Sequence, residues 1–122
     1  MADTWNVRMA QGEDLILYYD EVAPDGSIVS LAGRAYEGTI RLGPHSTGEP
    51  LDTYTCEIVA HPVTEDEDSA VKITLTDTES AALPPLELSH DLWCTHTDGT
   101  RELCLFGVLK LFKTPTHVEE EA

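Results

Sequence analysis

Histidine is the residue type in this sequence best suited to bind a transition metal, and the spacing of the histidines indicates whether a metal site is present. The five histidines stand singly along the chain: His45, His61, His90, His96 and His117. None has the i, i+4 spacing or the Cys-x-x-Cys neighbour of a zinc site. His96 and Asp98 flank one turn and would need a third ligand from elsewhere in the chain. The spacing therefore predicts no metal site.

The cysteines are the candidate nucleophiles and disulfide partners: Cys56, Cys94 and Cys104. An odd count without a recognisable signal peptide predicts free thiols in a reducing compartment. A two-residue turn at Asp98-Gly99 would set Trp93 opposite Cys104 and point Cys94 and Cys104 to opposite faces. A bulged turn would instead set Cys94 opposite Glu102. Neither register pairs the two cysteines, so we expect no disulfide between them.

Catalytic and cofactor signatures do not occur elsewhere in the sequence. It contains no Gly-rich phosphate loop and no Gly-x-Ser-x-Gly elbow. The stretches "PDGS" (24–27) and "TDGT" (97–100) lack the acidic series of a calcium loop and indicate turns. Carboxylate pairs are uninformative in so acidic a chain, because a general acid is defined by burial and geometry. The sequence predicts a non-enzymatic protein without catalytic, cofactor-binding or metal-binding residues.

Charge is the strongest compositional signal. Seven Lys and Arg against 23 Asp and Glu give a formal net charge of −16. This excess disfavours direct binding to nucleic acid or to an anionic membrane, because both need Lys and Arg. The acid is partly clustered in "TEDEDS" (64–69) and "VEEEA" (118–122), which we interpret as a solvated loop and a short acidic C-terminal tail at about 115–122. Attraction to a basic partner or to Ca²⁺ is the alternative.

The predicted secondary structure consists of short strands separated by turns. Alternating apolar segments predict one domain (1–122), an antiparallel β-sandwich or partly open barrel of about seven strands. The segment "TDTESAALPP" predicts one short helical turn near 77–83, with Asp77 or Thr78 as N-cap and Pro84-Pro85 as stop. No run reaches the ~18 apolar residues of a membrane span, and no signal peptide is apparent.

A hairpin from Leu88 to Phe112 is predicted to close this fold. In the simplest register one face is the core, with Leu92, Cys94, Leu103 and Leu105, and a bulge at Gly107 continues it. The opposite face carries the candidate interface residues: Trp93, Cys104, Phe106 and Val108. The alternating stretch "TWNVRMA" (4–10) predicts an N-terminal strand. This strand or a second sheet could cover Trp93 and Phe106. Otherwise they form an exposed apolar patch, which is typical of a protein contact.

Four stretches cover most of the chain in a characteristic order: "GEDLIL" (12–17), "PDGSIVSLAGRAYEGTIR" (24–41), "VKITLTDTESAALPP" (71–85) and "HDLWCTHTDGTRELCLFGVLKL" (90–111). In this order they resemble a family of small β-rich modules in baseplate, tail-fibre and other virion proteins of tailed bacteriophages and prophages. The resemblance implies a structural subunit of the tail, baseplate or fibre attachment, with no catalytic residues to carry over. It also implies that the chain is assembled in the host cytoplasm and contacts other virion proteins and copies of itself.

Other function classes remain open on the sequence. A capsid decoration or cement protein would use the same chemistry of protein contacts. A carbohydrate-binding adhesion module would present an exposed aromatic beside polar groups, for which Trp5, Trp93 or a tyrosine is available. A small cytoplasmic enzyme or regulator is a further class, because one β-fold hosts many functions.

Overall fold

The computed structural model describes residues 3–43 and 49–113. Within these ranges the chain forms eight strands and one short helix. They are β1 (Asp3–Thr4), β2 (Val7–Ala10), β3 (Leu15–Tyr19), β4 (Ala35–Arg41), β5 (Asp52–Val59), β6 (Ala70–Leu75), α1 (Asp77–Ala82), β7 (Glu87–Thr95) and β8 (Arg101–Phe112). The predicted C-terminal tail, His45 and His117 lie outside the described residues.

The strands form one curled sheet, a half-barrel with the order β1-β8-β7-β4-β5-β6-β3, in which β2 also pairs with β8. Strand β5 turns the sheet, because its first residues pair with β4 and its remainder pairs with β6. The predicted all-β class and partly open barrel are confirmed. The prediction of purely antiparallel pairing is wrong, since β1 and β2 both run parallel to β8.

The core lies on the concave side of this sheet. Burial alternates strictly along β7, so that Leu88, His90, Leu92 and Cys94 point inward. The predicted burial of Cys94 beside Leu92 is confirmed. Each fully buried aliphatic side chain contributes roughly 1.5–3 kcal/mol relative to an exposed one. The largest are Leu31, Ile40, Ile73, Leu75, Leu88, Leu92 and Leu109.

Helix α1 lies where the sequence predicts a helical turn, but its N-cap is Thr76 and not Asp77 or Thr78. Thr76 and Glu79 form a capping box, in which each side chain accepts a hydrogen bond from the other's backbone N–H. The helix joins the β2–β3 turn through buried Ser80, whose Oγ accepts from Gly12 N (2.9 Å) and donates to the Glu13 carbonyl (2.7 Å).

Among residues 3–43 and 49–113, no helix combines the length and the hydrophobicity needed to cross a bilayer.

Candidate protein interface

The β7–β8 hairpin carries a register shift that decides which of its side chains face outward. Near the turn Trp93 pairs with Leu103, whereas Leu92 already pairs with Leu105. Cys104 is therefore the extra residue of a β-bulge, in which two residues of one strand oppose one residue of the other. The alternation of inward and outward side chains in β8 consequently changes phase at this residue.

Because of this bulge, two residues of β8 lie on the opposite side of the sheet from the one predicted. Cys104 was predicted to point outward, but it is only 4% exposed and lies on the inner side with Leu105. Leu103, predicted as core, takes the outward position beside Trp93. The argument that Cys94 and Cys104 point to opposite faces is wrong for the same reason. All three cysteines are nevertheless free thiols in the structure.

The outward side of β2, β4, β7 and β8 carries the remaining candidate residues, and we call it the aromatic face. Its apolar side chains are Trp93, Leu103, Phe106 and Val108. Phe106 is 47% exposed and Val108 is 39% exposed, while Trp93 and Leu103 are half-buried. Neither a second sheet nor the N-terminal strand covers Phe106 within the described part of the chain. Three of the four predicted interface residues therefore share one exposed surface.

Three shallow depressions meet on the aromatic face. One of about 260 Å³ lies between Trp93, Phe106 and Arg41. A second, of about 510 Å³, extends from Trp93 past Arg41 to Arg101. The third, of about 410 Å³, lies beside Phe106 and Val108 and is the most apolar of the three. The face is therefore uneven, with hollows that can accept side chains from a binding partner.

Charged groups surround these aromatic side chains. The Arg101 guanidinium lies 4.8 Å from the centre of the Trp93 ring and 3.6 Å from the Glu37 carboxylate. Lys110 lies 3.9 Å from Glu87 at the other end of β8. These ion pairs are long and more than half exposed, so each contributes at most about 1 kcal/mol and the groups are available to a partner.

Beneath the aromatic face, Trp5 enters the core and divides the predicted N-terminal strand into β1 and β2. Its backbone N–H donates to the Phe106 carbonyl (2.8 Å), and the Asn6 side-chain oxygen accepts from Val108 N (3.0 Å). Gly107 makes this possible, because a Cβ there would lie 2.6 Å from the Trp5 carbonyl carbon. Gly107 was predicted to mark a bulge, but the register continues through it and the residue instead admits the Trp5 backbone.

His90 holds Trp5 in this position. The two rings are stacked with centroids 3.8 Å apart. His90 Nε2 lies 2.7 Å from the Trp5 carbonyl oxygen, which can only accept, so Nε2 carries the proton. Nδ1 then accepts from the Tyr54 hydroxyl at 2.6 Å. Burial lowers the pKa of His90 and so favours this neutral ring. The burial of His90 could have been predicted, because alternation along β7 places His90 on the same side of the strand as Leu92.

The remaining described histidines and the aspartate of the hairpin turn make structural contacts. His96 Nε2 bonds to Glu102 (2.8 Å), and Asp98 accepts from both N and Oγ1 of Thr100, as in the predicted turn. His61, which stands alone in the sequence, bonds to Asp20 at 2.8 Å. Among the described residues, no three His, Cys, Asp or Glu side chains are placed to hold a metal ion.

The buried thiols have none of the activation that a nucleophile requires. Burial raises the pKa of Cys104 to about 11. Burial also raises the pKa of Cys56. A reactive cysteine needs the opposite shift, because the thiolate is the attacking species. Burial therefore disfavours the thiolate at Cys56 and Cys104, and the aromatic face remains the strongest candidate site.

The sequence matches no protein-family model and no curated protein.

Proposed function

We propose that the chain is a non-enzymatic structural subunit of a tailed-phage virion that acts through protein–protein contacts on the aromatic face. The observation that supports a contact role is the exposure of Phe106 and Val108 beside the half-buried Trp93. The segment order that resembles phage modules supports the virion. The virion part of the proposal depends on that resemblance alone.

The build of the aromatic face favours a contact surface. Its side chains stand on paired strands, so their positions are set by backbone hydrogen bonds and not by loops. Aromatic side chains rimmed by charge are enriched among the residues that dominate binding energy. Truncating such a residue to alanine typically costs about 2 kcal/mol or more of binding. A rigid aromatic surface of this kind suits repeated assembly into one geometry.

Incorporation into particles tests this function. The phage or prophage genome that encodes the chain is induced, the particles are purified on a density gradient, and the chain is detected by immunoblot. We expect the wild-type chain in particles and the Phe106→Glu variant in the unassembled fraction. Ile16→Glu is the matched control, because Ile16 is 53% exposed on β3, away from the aromatic face. Purified particles that lack the wild-type chain would refute the proposal.

A carbohydrate-binding adhesion module is the second candidate. The observation that favours it is the hollow of about 260 Å³ in which Trp93 lies beside Arg41 and Asp91, an aromatic ring next to polar groups. A glycan array separates the two functions. Saturable binding of one glycan class that Trp93→Ala abolishes, and Ile16→Glu retains, would favour adhesion. Binding that is absent from the whole array would count against it.

A further inference from the structure

The cations of this acidic protein are concentrated around the aromatic face. Strand register assigns seven charged residues to the outward positions of β2, β4, β7 and β8. Four are cations and three are carboxylates: Arg8, Arg41, Arg101 and Lys110, with Glu37, Glu87 and Asp91. Their formal sum is +1, so the remaining three cations and 20 carboxylates of the chain sum to −17.

From this distribution we propose that the aromatic face binds the same face of a second copy of this chain, in a two-fold symmetric contact. The inference rests on the proposed function, which makes this face a contact surface, and it names the partner. Two copies with a net charge of −16 repel each other through most of their surfaces. The aromatic face is close to neutral, so copies that meet there experience less repulsion than the net charge of the chain implies.

The balance of signs on the face also favours a copy over a foreign partner. A basic partner would be drawn to the strongly acidic remainder of the surface. An acidic partner would meet three carboxylates on the face itself. The best partner for this face is a surface that also carries cations and carboxylates in nearly equal number. The same face of a second copy is such a surface. Two-fold contacts of this self-complementary kind are the commonest in homo-oligomers.

The exposed ion pairs on the face can exchange between copies. Arg101 and Glu37 lie on β8 and β4, on either side of Trp93 in β7. Their side chains are 54% and 68% exposed. A two-fold axis near Trp93 sets Arg101 of one copy against Glu37 of the other while the aromatic rings pack together. The exchange costs little, since an exposed pair of this kind is weak to begin with.

The area of the face is sufficient for a stable pair. The four strands β2, β4, β7 and β8 have 4, 7, 9 and 12 residues. At about 3.3 Å per residue and about 4.8 Å between strands, they give a footprint of roughly 500 Å². A standard interface buries about 800 Å² of accessible surface on each partner. Side chains and hollows give the face more accessible surface than its flat footprint, so the two values agree in scale.

Sedimentation equilibrium of the purified chain tests the proposal. We expect a two-chain species whose association constant rises with NaCl concentration, because salt screens the repulsion between the acidic remainders. Phe106→Glu should lower the association constant by about 30-fold or more, whereas Ile16→Glu should leave it nearly unchanged. Val108→Glu serves as a second variant, and circular dichroism checks the folding of each. A single-chain mass at every protein and salt concentration would overturn the proposal, as would equal weakening by the Ile16 control.

A mixing experiment tests the partner exchange directly. Arg101→Glu and Glu37→Arg variants each place like charges across the contact, so each alone should associate weakly. Mixed together they should form heterodimers, because both cross-copy pairs are then of opposite charge. Absence of heterodimers would overturn the exchange.

The dimer and the virion role can fail separately. A monomeric chain whose Phe106→Glu variant is still lost from particles would overturn the dimer and leave the virion role standing. If the chain forms the dimer but is absent from purified particles, the virion role would be overturned and the dimer would stand.

Discussion

Replacement of Gly107 by alanine is the sharpest test of how the N-terminal strand is attached. The added Cβ would stand 2.6 Å from the Trp5 carbonyl carbon and 2.7 Å from the Asn6 side-chain oxygen. Ordinary contact begins at 3.4 Å, and the obstructing Trp5 group is backbone, which cannot rotate away. The Trp5–Asn6 segment must therefore move off β8.

The cost follows from the contacts that this movement breaks. The Trp5 N–H loses its bond to the Phe106 carbonyl, a net loss of about 1 kcal/mol. Buried His90 Nε2 loses its acceptor at Trp5, and an unsatisfied buried donor costs about 1–3 kcal/mol. We expect Gly107→Ala to lower the free energy of unfolding by about 2–4 kcal/mol, before any loss of packing around the indole.

Urea unfolding monitored by circular dichroism measures this difference. Gly43→Ala is the matched control, because a Cβ at Gly43 meets nothing within 4 Å and its backbone is not in the left-handed region. The control should change the unfolding free energy little. If Gly107→Ala costs no more than Gly43→Ala, the Trp5 carbonyl does not approach β8 as described, and the account of the N-terminal strand is wrong.

Three further predictions concern the buried histidine, the helix cap and the thiols. The unfolding free energy should decrease as pH falls below 6.5, because His90 takes up a proton more readily in the unfolded chain than in the folded chain, where it is buried. A histidine NMR titration should give His90 a pKa below 6.5. A higher value would contradict its burial. Thr76→Ala should cost about 1 kcal/mol in urea unfolding through loss of the capping box, and no change would disprove the cap. Cys94 and Cys104 should resist thiol reagents in the folded chain, while three thiols should titrate after unfolding without reductant; a single thiol would reveal a disulfide.

Much of the local structure could be predicted because it depends on neighbouring residues only. The alternation along β7 assigned Leu92 and Cys94 to the core correctly, since side chains of a strand alternate between faces. The Asp-Gly turns and the helical turn before Pro84-Pro85 have equally local causes, namely side-chain bonds to the backbone and the missing N–H of proline. The outward positions of Trp93, Phe106 and Val108 followed from the same alternation.

The errors concern how strands fit against one another, which the pattern along a single strand does not determine. The bulged-turn register, which sets Cys94 opposite Glu102, was one of the two predicted alternatives, and the structure adopts it near the turn. The position of the bulge at Cys104 depends on how β8 fits β7 and could not be predicted from Cys104 itself. The break of the N-terminal strand depends on a hollow above Gly107, about a hundred residues further along the chain, and on a histidine and a tyrosine from two other strands. The parallel pairing of β1 and β2 with β8 is likewise a choice of partner, which periodicity does not encode.

From the sequence alone we could predict the all-β class, the turns, the acidity and the aromatic side chains on one side of the last hairpin. The folded chain adds that Cys104 lies inside, that Leu103 joins the aromatic face, and that four of the seven cations surround this face. The difference is one of range. Alternation and turn chemistry act between neighbouring residues, whereas the content of a sheet face is set by strand order and register, which bring together residues from β2, β4, β7 and β8.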